Sequence, residues 1–193
     1  MKGFENDGKN EYRLSEKGKV NDTIMKTNSR GTIVYDGQYA LLTYQRRLPH
    51  PKETIWKEIT DPNKLSEWMN TKAIVDWRDG GTVDFVNIVS GFHTSGNILT
   101  WHPNKTLEHE WHIAPNPSLP QGESHSIIRW DLEQDGDSDT LLTLTHSYLS
   151  KLISVRFAPG WHAYLDRLEA DLDNRELPDW MQRSAEVKEL YFS

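Results

Sequence analysis

The chain has 193 residues, 36% of them hydrophobic and 26% charged, with a formal net charge of -7. An acidic balance argues against a general nucleic-acid or anionic-membrane surface, which needs clustered Lys and Arg. Cysteine is absent, which removes disulfides, a thiol nucleophile and Cys-type zinc sites. The length suits one domain burying about 70% of its unfolded surface, and eight Trp and seven Tyr supply large units of burial. Met1-Lys2-Gly3-Phe4-Glu5 has no apolar leader core, and no long apolar run occurs anywhere. A cytoplasmic protein without membrane insertion is therefore expected.

Residues 1 to 30 are mixed in charge, rich in Asn, Gly and Lys, and lack periodicity, so a flexible N-terminal extension is expected there. Thr32-Ile33-Val34-Tyr35 and the run from Tyr39 to Leu48 flank Asp36-Gly37, a strong hairpin signal. His50-Pro51 opens a helix to about Ile59, with Pro at the first helical position. Asp61-Pro62 opens a second, ending near Met69, with Asp61 as its N-cap. Strands follow over about 74–77, 82–89, 93–101, 106–113, 125–133 and 140–148. In three of them the alternation marks one buried and one wet face. Leu107, His109, Trp111 and Ile113 share a face, as do Ile128, Trp130 and Leu132, and Leu142, Leu144 and His146. Pro159-Gly160 is read as the break that ends the last strand. Trp161, Leu165, Leu168 and Leu172 then recur at helical spacing, predicting a long helix over about 159–174. A short terminal helix is expected over about 178–191.

A helix with one wide apolar face needs a sheet to lie on. The predicted fold is α+β: a curved antiparallel sheet wrapped around a long C-terminal helix, with two short helices after the first strand.

Several motifs sharpen this. Arg46-Arg47 lies in the first long strand, and Pro51 precedes Ile55-Trp56. Thr60-Asp61-Pro62 precedes Leu65 and Trp68, and Gly80-Gly81 forms a turn. Leu144-Thr145-His146 and Gly160-Trp161-His162 with Leu165 and Leu168 complete the set. Together, over roughly residues 31 to 175, they resemble the SRPBCC (START-like, helix-grip) superfamily, and within it the branch of activators of heat-shock-protein-90 ATPase. The resemblance implies a single START-like domain over 31–193 and, in many members, a ligand cavity between the long helix and the sheet.

The inward candidates for such a cavity are Trp68, Phe85, Trp111, Trp130, His146, Phe157, Trp161, Tyr164 and Leu168. An apolar concavity with few polar groups is the usual form of a small-molecule site. A ligand burying about 300 Å² of apolar surface gains roughly 7 kcal/mol. Lost freedom takes back several, so micromolar affinity is expected. By alternation His146 points inside, where burial disfavours its charged form. His146→Leu is expected to alter ligand affinity more than stability. His162 is expected at the pocket mouth or on the helix surface.

Other constellations carry less. His109 and His112 lie three apart on a strand, on opposite faces, and cannot chelate together. Asp135-Gly136-Asp137-Ser138-Asp139 departs from a calcium loop at Thr140 and His146 and is read as a hairpin turn. No phosphate loop, nucleophile elbow or dinucleotide fingerprint occurs. No cofactor, metal or catalytic residue is assigned.

Three functional readings follow. The first is non-catalytic binding of a small hydrophobic or amphipathic ligand. The second, implied by the resemblance, is a co-chaperone-like interaction module with a chaperone partner in a stress response. Such activators are expected to carry a separate N-terminal chaperone-binding domain, and about thirty polar residues precede the fold here. The third is a small cyclase or hydratase-type enzyme using the same cavity, with His146 as the candidate acid or base. A homodimer is compatible with eight Trp.

Overall fold

The computed structural model describes residues 30–191. The expected N-terminal extension falls, Arg30 apart, outside the described residues. Eight strands form one antiparallel sheet in the order β1-β2-β8-β7-β6-β5-β4-β3. They are β1 (Thr32–Asp36), β2 (Tyr39–Leu48), β3 (Thr71–Val75), β4 (Thr82–Asn87), β5 (His93–His102), β6 (Thr106–Ile113), β7 (Glu123–Asp135) and β8 (Asp139–Ser150). Two short helices, α1 (Lys52–Thr60) and α2 (Pro62–Trp68), link β2 to β3. The long helix α3 (Lys151–Leu172) and the shorter α4 (Trp180–Val187) follow β8, and a 3-10 turn, Lys188–Tyr191, completes the terminal helical segment. This is the helix-grip architecture, with a curved sheet around a long C-terminal helix.

Local chemistry explains most boundaries. Gly37 takes a positive φ of 55° at the first of the two loop residues between β1 and β2, a conformation that glycine adopts without strain. The Asp61 carboxylate accepts from the Asn63 N–H at 2.9 Å and caps α2, with Pro62 at its start. Pro51 sits at the cap of α1 itself, one residue outside the helix. In β8 the pairing skips between Ala40/Leu149 and Leu42/His146, so Leu41 faces both Ser147 and Tyr148. This bulge, with Tyr148 at φ 57°, turns Leu149 inward behind His146 and Leu144.

The long helix begins at Lys151, eight residues before the expected start near Pro159, and ends at Leu172, not Asn174. The Ser150 N–H and hydroxyl both donate to the Glu123 carboxylate, at 2.7 and 2.9 Å. The strand end is thereby pinned and the helix starts at once. Pro159 lies inside it. Its fixed φ suits a helix, and the cost is the N–H it cannot give to the Val155 carbonyl. Burial of Ile153, Ala158 and Trp161 in the core outweighs that cost. Proline read in isolation signalled a boundary that packing overrode.

The core lies between the inner sheet face and α3. Leu42, Tyr44, Ile128, Leu142 and Leu144 of the sheet and Leu165 and Leu168 of α3 are almost wholly buried in it. No helix among the described residues is long and apolar enough to cross a membrane.

Candidate functional site

Toward the β3–β6 half of the sheet, α3 and the sheet diverge and leave a cavity of about 420 Å³. The strands supply Phe85, Asn87, Thr94 and Trp111, and α3 supplies Phe157, Gly160, Trp161, Tyr164 and Arg167. Met69, Asn70 and Thr71 close one side, while Asp179, Trp180 and Met181 at the start of α4 close another.

Of the nine expected site residues, Phe85, Trp111, Phe157, Trp161 and Tyr164 line this cavity. Trp68, Trp130, His146 and Leu168 are buried outside its lining. Trp68 donates its Nε1–H to the Glu58 carbonyl at 2.9 Å and meets the Tyr164 ring edge-on at 6.3 Å. Trp130 stands edge-on to Trp161 at 5.9 Å. Leu168 is fully buried core. His146 sits behind the wall, its ring 5.8 Å from Phe157 and 6.0 Å from Trp161.

His162 is neither at a mouth nor on a surface. It is 1% exposed on the far side of α3, with Nδ1 2.9 Å from the Tyr191 hydroxyl. The short terminal segment folds back over it, which helical spacing alone does not reveal.

Several lining residues escaped the sequence reading. The Asn87 side chain donates to the Tyr164 hydroxyl at 3.2 Å, and its Oδ1 accepts from the Val89 and Ser90 N–H groups, ordering the β4–β5 turn beside the cavity. Arg167 is 7% exposed and donates to three main-chain carbonyls: Trp68 at 2.6 Å, Pro178 at 2.6 Å and Glu67 at 3.1 Å. Two of these belong to the C-terminal end of α2, where the helix dipole is negative. Gly160, Tyr164 and Arg167 share a helix face at spacings of four and three, so periodicity held the signal. Trp180 had none. Its ring packs on Tyr164 at 5.3 Å and its Nε1–H donates to the Gly160 carbonyl at 3.2 Å.

Burial favours the uncharged form of three titratable side chains at or behind the cavity wall. Burial pushes the Tyr164 hydroxyl up to about 12 and His109 down to about 4. Burial, with His109 close by, drives His146 well below its ordinary value. The indole of Trp161 can only donate, so its 3.0 Å bond to His146 Nδ1 places the histidine proton on Nε2. That Nε2–H and the Trp111 indole N–H are both buried without a hydrogen-bond partner among the described residues. Among the described residues no cluster of three or more His, Asp or Glu could hold a metal ion.

The sequence model of the family described as "Activator of Hsp90 ATPase homolog 1-like protein" matches residues 49–173. No curated protein matches the chain. The crystal structure of CalU16 from Micromonospora echinospora is similar at a TM-score of 0.62 and 26% identity, over 84% of this chain and 92% of that one. EF2215 from Enterococcus faecalis, a conserved protein of unknown function, aligns at 0.65 and 18% identity, over 89% and 96%. The solution structure of BPP1335 from Bordetella parapertussis aligns at 0.63 and 21%, over 82% and 87%. The last two likenesses are of fold.

Proposed function

The chain belongs to the Activator of Hsp90 ATPase homolog 1-like family, and on that premise we propose that it binds a small apolar or amphipathic molecule between α3 and the sheet, working in the cytoplasm. The observation that carries this reading is the 420 Å³ cavity with Phe85, Trp111, Phe157, Trp161 and Tyr164 in its walls. Aromatic walls supply binding energy through area. Polar groups in the lining, among them Asn87, the Tyr164 hydroxyl and Arg167, can orient an amphipathic ligand.

The residues favour holding over chemistry. General acid–base catalysis works best with a group titrating near the working pH. Tyr164 at about 12 and His109 at about 4 stand far on either side of it, and His146 is kept neutral. The proposed role is that of a carrier or sensor.

Native mass spectrometry of the full chain, followed by denaturing extraction, tests this. A reproducible small-molecule adduct, displaced when Thr94→Phe fills the cavity, is the expected result. If the purified chain carries no adduct and takes up no naphthalene-sized apolar probe at high micromolar concentration, the cavity does not bind ligands and the reading falls.

A further inference from the structure

The two edges of the sheet are built differently. β3 carries Lys72 as its second residue and packs against α2, two devices that protect an edge from pairing with another chain. β1 (Thr32–Asp36) has no charge, proline or bulge between its ends, and Val34 and Tyr35 are 57% and 50% exposed. Leu41, opposite Val34 on β2, and Tyr39 extend the exposed apolar surface on the outer face.

The register fixes which main-chain groups are free. In a two-residue hairpin the pair flanking the loop, here Asp36 and Tyr39, is hydrogen-bonded. By alternation Val34 and Thr32 also bond to β2, leaving the N–H and C=O of Ile33 and Tyr35 on the side that no strand pairs among the described residues. A second β1 lying antiparallel about a two-fold axis at Ile33 places Ile33 opposite Ile33 and Tyr35 opposite Gly31. The same register sets Arg30 of each copy against Asp36 of the other, an opposite-charge pair at both ends of the ribbon. Gly31 N–H is already given to the Tyr191 hydroxyl at 3.0 Å, but its carbonyl can accept from Tyr35 of the second copy.

We propose that this protein forms a two-fold homodimer by antiparallel pairing of its β1 strands, in the register that matches Arg30 with Asp36 across the axis. Hydrogen-bond parity, an apolar edge left unpaired among the described residues and self-complementary end charges agree on one register, and an isologous contact of this kind closes on itself. The paired segment is smaller than a standard interface, so the dimer is concentration-dependent, with dissociation in the micromolar range. The Arg30–Asp36 pairs select the register more than they supply affinity.

Sedimentation of the full chain over a micromolar concentration series, with charge reversals, tests this. Wild type should shift from monomer to dimer. Arg30→Asp and Asp36→Arg should each weaken association by about tenfold, or 1.4 kcal/mol, and the double variant should recover most of it. Both side chains are exposed, and the only ring contact given up within the protomer among the described residues is that of Arg30 over Tyr191, 5.9 Å from its centroid, so the fold should survive each change. A wild type that stays monomeric overturns the proposal, and so does a chain that dimerises only once residues 1–29 are removed, since those residues would then be the occupant of the edge. Equal weakening by the single and double variants also overturns it, because the register would be wrong.

Discussion

The indole of Trp161 on α3 donates to Nδ1 of His146 on β8 at 3.0 Å, inside the core and across the helix–sheet interface. One contact thereby fixes the tautomer of the histidine and the orientation of the central aromatic of the cavity wall.

His146→Leu keeps the volume but leaves the Trp161 N–H buried without an acceptor. Such an orphan costs about 1–3 kcal/mol, and the urea midpoint should fall accordingly. Release of Trp161 from its anchor should also change probe binding. Trp161→Phe removes the donor but also opens a cavity in the core, so the bond is read from a double-mutant cycle, in which the double variant should lose less stability than the two single losses added together. Strictly additive losses would mean that the bond contributes nothing and the loss is one of packing.

The buried histidines predict acid sensitivity. Unfolded, each titrates near 6.5; folded, His109 and His162 stand at about 4, and burial holds His146 well below its ordinary value. Below 6.5 the unfolded chain therefore binds protons that the folded chain refuses. Their contribution is fully present above the unfolded value and is lost as pH falls toward 4, by up to about 1.4 kcal/mol per pH unit for each group. Glu58, raised to about 7 by burial, runs the opposite way between 4.5 and 7 and offsets part of the loss. The urea midpoint should be lower near pH 5 than near pH 7.5. A higher midpoint at the acid value would mean that protonation of groups such as Glu58 outweighs the histidines, and the prediction fails.

How far the sequence carries is visible in particular residues. Period-two alternation placed Leu107, Trp111, Trp130, Leu144 and His146 on the buried face, and each is buried. The same pattern places His109 inside, where it is 2% exposed. Facing the core and facing a cavity are different properties. Alternation gives the first, whereas the second depends on how far α3 and the sheet diverge, which no local pattern records. Trp130 and His146 fell on the packed side of that divergence and Phe85 and Phe157 on the open side. Pro159 misled because its local preference competes with the burial of a 22-residue helix. Trp180 joins the site only through the fold-back of α4, a contact between distant elements without a signature in either.

Trp180 closes one wall of the cavity through its ring contact with Tyr164 and its bond to the Gly160 carbonyl. Trp180→Ala should leave the fold intact while weakening a bound naphthalene-sized fluorescent probe by about fivefold, near 1 kcal/mol. Most of the change should appear in the off-rate. Gly160→Ala is the milder probe, since the added Cβ would stand 3.2 Å from Trp180 Cζ2 and the ring must yield by a few tenths of an ångström. Stopped-flow release rates from both variants check this, and unchanged rates would remove Trp180 from the binding wall.

Arg46 tests what the Arg-rich strand motif does. It points inward from β2 at 6% exposure, its Nε 2.7 Å from Glu169 Oε1 and its Nη2 3.6 Å from Asp166 Oδ1. The Glu169 contact is an ion pair without hydrogen-bond alignment, so its strength is Coulombic and rests on exclusion of water. Asp166 has a second cation in Arg183, whose Nε lies 2.6 Å away, and so it tolerates loss of Arg46 better than Glu169 does. Removing one partner of a fully buried pair costs 3–5 kcal/mol. Glu169 is about a third exposed, so Arg46→Met should cost less, about 2 kcal/mol. Adding Glu169→Gln should return part of that loss, because no uncompensated carboxylate of α3 is then left against β2. A double-mutant cycle from urea unfolding reads the coupling directly. A coupling indistinguishable from zero would mean that the pair is screened by solvent and that Arg46 holds β2 to α3 through the packing of its methylene stem alone.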